Sequence, residues 1–409
     1  MGEIFCGIDW SSRHHDVALV DQDGRKVAKP RIDNTATGFA DLMSLFAQHN
    51  LRPGTLKIAI ETEHGLLVSM LAAAGYAIYP INPKSVDRYR DRHHRAHGKS
   101  DVADALVLAH LLRTDAHLHR QLAADTTAVR ALHVLARAHQ DLIWSRVQEV
   151  NRLKTLLGQY FPAALTAFPD LTIRTACVVL TAAPTPTQAA RLTVEELTEL
   201  LFTAGWGRRR GAASRLATVF STEHMRQPEA VEQAFGLAVT ALLQTISAMT
   251  TAITGLEAEM DQALGQHPDA PIYRSQPGLG TILATRILAE FGDDPHRWPD
   301  ALSRRSYAGT APITRQSGKK RLVTARFIRN KRLYDAVRAQ AFCALHFSPG
   351  ARAYYDQRRT AGDGHEAALR RLAGKLLSQL HHCLLHHVTY QEDKAWPPPP
   401  PNQASQSAA

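Results

Sequence analysis

Four acidic residues in the first quarter of the chain have the types and spacing of a divalent-cation site: Asp9 in GIDW, Glu61 in IAIETEHG, and Asp101 with Asp104 in KSDVADALVLAHLL. Asp9 and Glu61 each close a short apolar run readable as a buried strand. Asp101 and Asp104 open an apolar helical stretch, where residues three apart share a face. Two strand ends and one helix turn would bring four carboxylates together, enough oxygen donors for two hard cations of the kind that drive phosphodiester chemistry. Each acid also has a plainer reading. An Asp at a strand end is commonly a turn residue, and Asp101 and Asp104 behind Ser100 make an ordinary helix start in which acids suit the dipole. Glu63 rivals Glu61, two residues on and on the same side if the strand continued, but Glu61 is preferred because it abuts the apolar run. Asp16, Asp21 and Asp23 are expected to be solvated hairpin residues.

The elements that must hold these acids follow from local pattern. Residues 3–9, 16–21 and 26–32 read as strands, with Asp23-Gly24 turning the last two into a hairpin. A helix is expected over Thr37–Gln48, then a strand LKIAI ending at Glu61, a helix GLLVSMLAAAG closed near Gly75, and a strand YAIYPI. The order β-β-β-α-β-α-β-α is the layout of an α/β RNase H-like fold, assigned here to residues 1–120. Long helical runs at about 125–159 and 226–264 suggest a helical, coiled-coil assembly region over 121–265. A mostly α domain is expected over 266–390. It opens with Pro277-Gly278-Leu279-Gly280 ahead of an apolar helix, a helix-hairpin-helix-like pattern whose Gly278 and Gly280 could present backbone N–H groups to a phosphate. Residues 391–409, with prolines at 397 to 401, read as a disordered tail.

Composition narrows the partners. With 48 Lys and Arg against 38 Asp and Glu, the formal charge is +10, which favours polyanions and nucleic acid first. The four cysteines lie far apart and form no CxxC pair, so a disulfide framework or zinc knuckle is not indicated and a reducing, cytoplasmic setting fits best. No secretory signal or membrane span is expected. Basic runs sit at Arg88–Lys99 (Arg88, Arg90, Arg92, Lys99), Arg208–Arg210 and Lys319–Lys331, with Tyr89 and Trp206 as candidate stacking partners for bases. His382 and His386 lie four apart but lack an acidic partner, so packing is the preferred reading.

At this point the chain resembles the DEDD insertion-sequence transposases, the bridge-RNA-guided recombinases, and most closely their actinobacterial-type members. The shared stretches are GIDWS, IET..GLLV, YPINP..VDRYRDR and KSD..DALVLAHLLRTD over residues 4–115, and PGLGTILATRILAEFGD, RRSYAGTAPITRQSGKKR and RFIRNKRLYDAVRAQAFCAL over 274–345. The resemblance implies a RuvC-like N-terminal domain in which Asp9, Glu61, Asp101 and Asp104 bind magnesium, two ions being expected. It also implies a C-terminal transposase domain whose nucleophilic serine matches Ser317. Donor and target DNA, an element-encoded guide RNA and a homo-oligomer, dimer or tetramer, are the implied partners. The residues alone carry a weaker case for Ser317: a hydroxyl needs activation, and Arg315, Lys319, Lys320 and Arg321 supply cations nearby, yet Ser-Gly is also ordinary turn chemistry. Ser303, Ser306 and Tyr307 are the fallback nucleophiles. Two rivals remain: a metal-dependent junction nuclease that never rejoins strands, and a non-catalytic nucleic-acid-binding protein.

Overall fold

The structure is a computed structural model that describes residues 2–93, 101–206, 210–318 and 320–397. It divides into two units, Met1–Ala124 and Asp125–Ala409.

The first unit is built on β1 (Ile4–Trp10), β2 (His14–Asp21), β3 (Lys26–Ala28), β4 (Arg31–Asp33), α1 (Ala36–Gln48), β5 (Lys57–Ile60), α2 (Leu66–Ala73), β6 (Ala77–Pro80), α3 (Pro83–His93) and α4 (Asp101–Asp115). The sheet runs β3-β2-β1-β5-β6, with β1 antiparallel to β2 and parallel to β5. This is the RNase H-like arrangement. Both faces are covered, which is why its strands read as nearly continuous apolar runs. Cys6, Ile8, Ile58 and Ile60 pack with Leu42, Phe46 and Leu71 on one side. Phe5 and Ala59 pack with Val107, Leu108 and Leu112 of α4 on the other.

Two expectations need correction. The strand at 26–32 is split in two, because Pro30 has no N–H to give to the ladder; its carbonyl still accepts from Val17 N at 3.0 Å, and β4 resumes pairing with β2. Asp16 is not solvated. It is 5% exposed and takes two hydrogen bonds from Arg31, Nε at 3.1 Å and Nη2 at 2.8 Å, from the strand position directly opposite. Asp21 does form the turn: its Oδ1 accepts from Asp23 N and Arg25 N, and Gly24 takes φ +82°.

Among its described residues the second unit is helical apart from one hairpin. Its elements are α5 (Thr127–Tyr160), α6 (Pro162–Ala167), α7 (Arg174–Ala182), α8 (Pro186–Ala189), α9 (Val194–Thr203), α10 (Arg210–Ser221), α11 (Glu229–Gly265), α12 (Ala270–Ser275), α13 (Thr281–Phe291) and α14 (Ala301–Tyr307). Then come β7 (Ile313–Ser317), β8 (Lys320–Thr324), α15 (Lys331–Phe347), α16 (Pro349–Thr360), α17 (His365–His386) and α18 (Glu392–Ala395). The long helices α5 and α11 run antiparallel to each other. Tyr160 stacks on Phe235 at 4.9 Å, Arg146 bonds Thr250, His139 bonds Glu257, and Ala136 packs on Met260. Helix α11 is long and apolar enough to cross a bilayer by composition, but Val239, Leu243, Ile246 and Ile253 are buried within the helical unit.

Two cores share these long helices. One gathers Leu153 and Leu157 with α6, α7, α9, α10 and the first half of α11. The other gathers Val129, Leu132 and Leu264 around α13, which is buried from Ala284 through Phe291, together with α15 and α17. Gly278, at φ +74°, precedes α13 where an added Cβ would stand 2.6 Å from Gln340 O and Ala344 N of α15. That position therefore demands glycine for close packing, and Gly280 is the N-cap residue of α13. Residues 391–397, read from sequence as tail, are ordered here: Glu392 accepts from Ser348 Oγ and Gly350 N, and the Trp396 ring fills the space over Gly350. Residues 398–409 lie outside the described set.

Candidate active site

The parallel register of β1 and β5 decides where the first two acids stand. Ile8 and Ile60 are the last paired residues, so Asp9 and Glu61 occupy the next position on neighbouring strands, which run about 4.8 Å apart. Both are partly buried. Strand alternation puts Asp9 on the same face as Phe5 and Gly7, and that face is covered by α4. The approach of α4 is close. A Cβ on Gly7 would fall 2.0 Å from Ala105 O and 2.5 Å from Ala109 N, so glycine in GIDW is what lets the helix carrying the other two acids lie directly on β1.

Asp104 is 7% exposed, one residue before the Ala105 carbonyl that meets Gly7. Its Oδ1 accepts from Arg90 Nη2 of α3 at 2.6 Å, and Arg90 Nη1 also donates to Asp87 at 3.2 Å. Arg90 is thus committed to acidic partners within the unit, whereas Arg88 is exposed. Asp101 opens α4 three residues earlier; its side chain, and those of Arg92 and Lys99, lie outside the described residues, as does the expected cap Ser100. Glu63 lies in the exposed loop beyond β5, 3.4 Å from His64 Nε2. Asp16 joins this row from the other side, since it pairs directly with Asp9 in the β1–β2 register, and Arg31 neutralises it. Among the described residues no three His, Cys, Asp or Glu side chains gather closely enough to hold an ion by themselves. The donor set is nonetheless all carboxylate oxygen, the chemistry a hard divalent cation requires.

Ser317 ends β7 and pairs with Lys320 of β8, and Gly318, the residue after Ser317, sits at φ +56°. Ser317 and Arg315 are exposed on this hairpin. Lys319 lies outside the described residues, as do the side chains of Lys320 and Arg321.

The root of the hairpin is held by a polar clamp around the buried Glu290 that sequence reasoning missed. Asn330, the residue that caps α15 through Oδ1 to Leu333 N at 3.0 Å, donates Nδ2 to Glu290 at 2.6 Å and to Tyr307 Oη at 2.9 Å. Its backbone N–H donates to Tyr307 O at 3.0 Å, closing the segment that contains β7 and β8. Glu290, 4% exposed, also takes Arg137 Nε at 2.9 Å and Nη2 at 3.1 Å from α5. Burial would raise the Glu290 carboxyl, but the hydrogen bonds from Arg137 and Asn330 and the nearby charges outweigh it and hold it below the ordinary glutamate range. Tyr307 packs its ring on Trp298 at 5.1 Å. Ser303 N is the donor that Asp300 uses to cap α14. Tyr89 packs against the α4 core, and Trp206 is 45% exposed. The rings of His382 and His386 lie 4.4 Å apart.

Against this geometry, residues 6–162 match the profile of an IS110-type DEDD transposase and residues 270–356 that of the IS116/IS110/IS902 transposase family. A putative transposase of the IS117 mini-circle from Streptomyces coelicolor is 47% identical over 97% of both chains. The chain belongs to the IS110 family of DEDD transposases. Uncharacterized proteins of the insertion elements IS900, from Mycobacterium paratuberculosis, and IS110, from S. coelicolor, are each 27% identical, covering 95% and 96% of this chain and 97% and 96% of their own. The protein is therefore a DNA transposase, and the DEDD profile takes in its RNase H-like unit and continues through α5, a match that points to divalent metal use.

Proposed function

We propose that this IS110-family transposase cleaves and rejoins DNA strands of an insertion element, with Asp9, Glu61, Asp101 and Asp104 holding two magnesium ions and Ser317 as nucleophile. The observation that carries the reading is the β1–β5 register: it sets Asp9 beside Glu61 at the strand ends, on the sheet face covered by the helix bearing Asp104. Bound magnesium would supply charge stabilisation at the attacking and leaving oxygens of the scissile phosphate.

The chain's own residues do the rest. The Ser317 hydroxyl loses its proton to solvent and attacks phosphorus; a new P–O bond forms to serine as one ester oxygen of the strand leaves. The resulting phosphoserine conserves a phosphoester, which a strand-end hydroxyl then attacks to release serine. Arg315, Lys319, Lys320 and Arg321 balance the phosphate charge around the hairpin tip. Arg88, Arg92 and Lys99 grip the backbone beside the acids, while Arg90, also expected from sequence to do so, is taken up by Asp104 and Asp87; Gly278 with Gly280, in a helix-hairpin-helix, offer backbone N–H groups to phosphate. An element-encoded guide RNA pairs with donor and target DNA, so side chains read backbone and shape more than sequence. The α5–α11 pair forms the coiled-coil assembly region of a dimer or tetramer. The division into a catalytic domain at 1–120, this region at 121–265 and the transposase domain at 266–390 belongs to the same reading.

The test is recombination between donor and target DNA by the purified protein with RNA from the element's flanks. Asp9→Ala, Asp104→Ala and Ser317→Ala should each abolish it; full activity in all three would sink the assignment. A covalent protein–DNA adduct should disappear in Ser317→Ala and persist in Tyr307→Phe. Strand cleavage that survives Ser317→Ala would favour a nuclease without a covalent intermediate.

A further inference from the structure

The loop that returns from β8 to α15, residues 325–330, carries two large apolar side chains out into solvent: Phe327 is 82% exposed and Ile328 90%. The loop that presents them is braced. Arg329 Nη1 donates to Arg326 O at 2.8 Å across the loop, and its guanidinium lies 3.7 Å from the centre of the Tyr334 ring. The Arg329 stem fills the space at Gly309, where a Cβ would stand 2.2 Å from Arg329 Cδ. Asn330 closes the loop into the clamp at Glu290. Hydrophobic exposure on a fixed loop costs free energy that burial against a partner would recover.

The surroundings identify the partner. Residues 313–332 hold eight Lys and Arg and no Asp or Glu. A protein partner would have to bring acids to match that frame; a nucleic acid brings phosphates outside and flat apolar base faces within. We propose that Phe327 and Ile328 form a wedge that enters a base step of the DNA strand held by the hairpin, Phe327 stacking on a base next to the phosphate presented to Ser317. The wedge would unstack that step, as apolar side chains set among cations do in other DNA-bending contacts. This rests on the hairpin being a DNA-contacting element, as proposed above.

The test uses the full chain and three probes of one sequence: a duplex with a central mismatched bubble carrying 2-aminopurine, the same duplex fully paired, and single-stranded RNA. Wild type should quench the 2-aminopurine. Phe327→Ala should lose the quench and bind the bubble about 5- to 150-fold more weakly, the range for one base–aromatic stack, while the salt dependence of binding stays the same. Phe327→Trp should restore both. Arg326→Ala provides the contrast, because it removes a cation and should flatten the salt slope. The proposal is overturned if Phe327→Ala quenches and binds as wild type does, if the loss is confined to RNA, or if the variant instead changes self-association in sedimentation, which would make the loop a contact between copies. Rejoining assayed in parallel separates the two ideas: full rejoining by Ser317→Ala defeats the nucleophile reading and leaves the quench result to decide the wedge alone.

Discussion

The acid-bearing end of the first unit and the serine-bearing hairpin of the second hold their chemistry in opposite ways. Asp9, Glu61 and Asp104 sit at or just beyond the edge of an apolar sandwich, partly or fully covered, with the helix pressed onto β1 at Gly7. Ser317 stands exposed at a hairpin tip, and the precision of the hairpin has to come from its root, where Arg137, Asn330 and Tyr307, each partly buried, form a polar clamp around the buried Glu290. Hydrophobic packing thus fixes one set of groups, and hydrogen bonds fix the other. The second kind of support is directional and fails when one member is lost, because the remaining buried groups are left unpaired.

The sharpest way to break the comparison is to remove function while changing the scaffolds as little as possible. Asp9→Asn and Asp104→Asn keep size and one acceptor oxygen but replace the other, anionic oxygen that a divalent cation prefers with an NH2 donor. Strand cleavage should fall by more than about a hundredfold, beyond the 10–100-fold typical of groups that merely orient metal ligands. Thermal stability, followed by circular dichroism, should hold for Asp9→Asn. A cleavage rate within tenfold of wild type would separate these acids from the chemistry.

Glu290→Gln strikes the other scaffold. It leaves Arg137 and the Asn330 amide without their carboxylate, and about 1–3 kcal/mol of stability should go with it, discounted because Arg137 is partly solvated. The sign of its pH dependence follows from the depressed carboxyl: the stabilisation is fully present above the ordinary glutamate range and is lost as pH falls through the lower folded-state value. Wild type should therefore lose stability on acidification more steeply than Glu290→Gln, and parallel melting curves from neutral to acid pH would contradict this. As a positioning residue, Glu290 should also slow rejoining in an assay run well below the melting temperature, where a merely structural role would leave the rate unchanged.

These two supports were not equally legible in the sequence. The strands, their order and the acids at their ends could be read because alternation and apolar runs are local signals, and Gly7 and Asp9 sit in a single short motif. Ser317 itself is singled out only by resemblance, and the β-hairpin that carries it has no local sign beyond the Ser-Gly turn, in a stretch that otherwise reads as mostly helical. The clamp joins residues 137, 290, 307 and 330, and nothing in a single chain announces that a Glu in AEFGD will meet an arginine that precedes it by 153 residues. Asp16 reads as a solvated hairpin acid for the same reason: no local signal shows that Arg31, fifteen residues on, stands opposite it. The split at Pro30 was readable in principle, since proline cannot donate to a sheet ladder.

The smallest effect tests whether the hairpin tip needs its exact turn. Gly318 is at φ +56° with open space around its Cβ position, so Gly318→Ala meets no clash and pays only for a left-handed backbone, about 1–2 kcal/mol. Because the tip is exposed and far from either core, that cost should be local. The melting temperature should move by only a few degrees for a chain of this size, while the Ser317–Lys320 pairing weakens and covalent-adduct formation slows. Gly318→Asn provides the control, since asparagine tolerates the left-handed region better and should recover part of the adduct. If alanine and asparagine gave the same adduct yield as glycine, the turn would be a passive connection, and the precision ascribed to the clamp at the root would have to act on some other part of the hairpin.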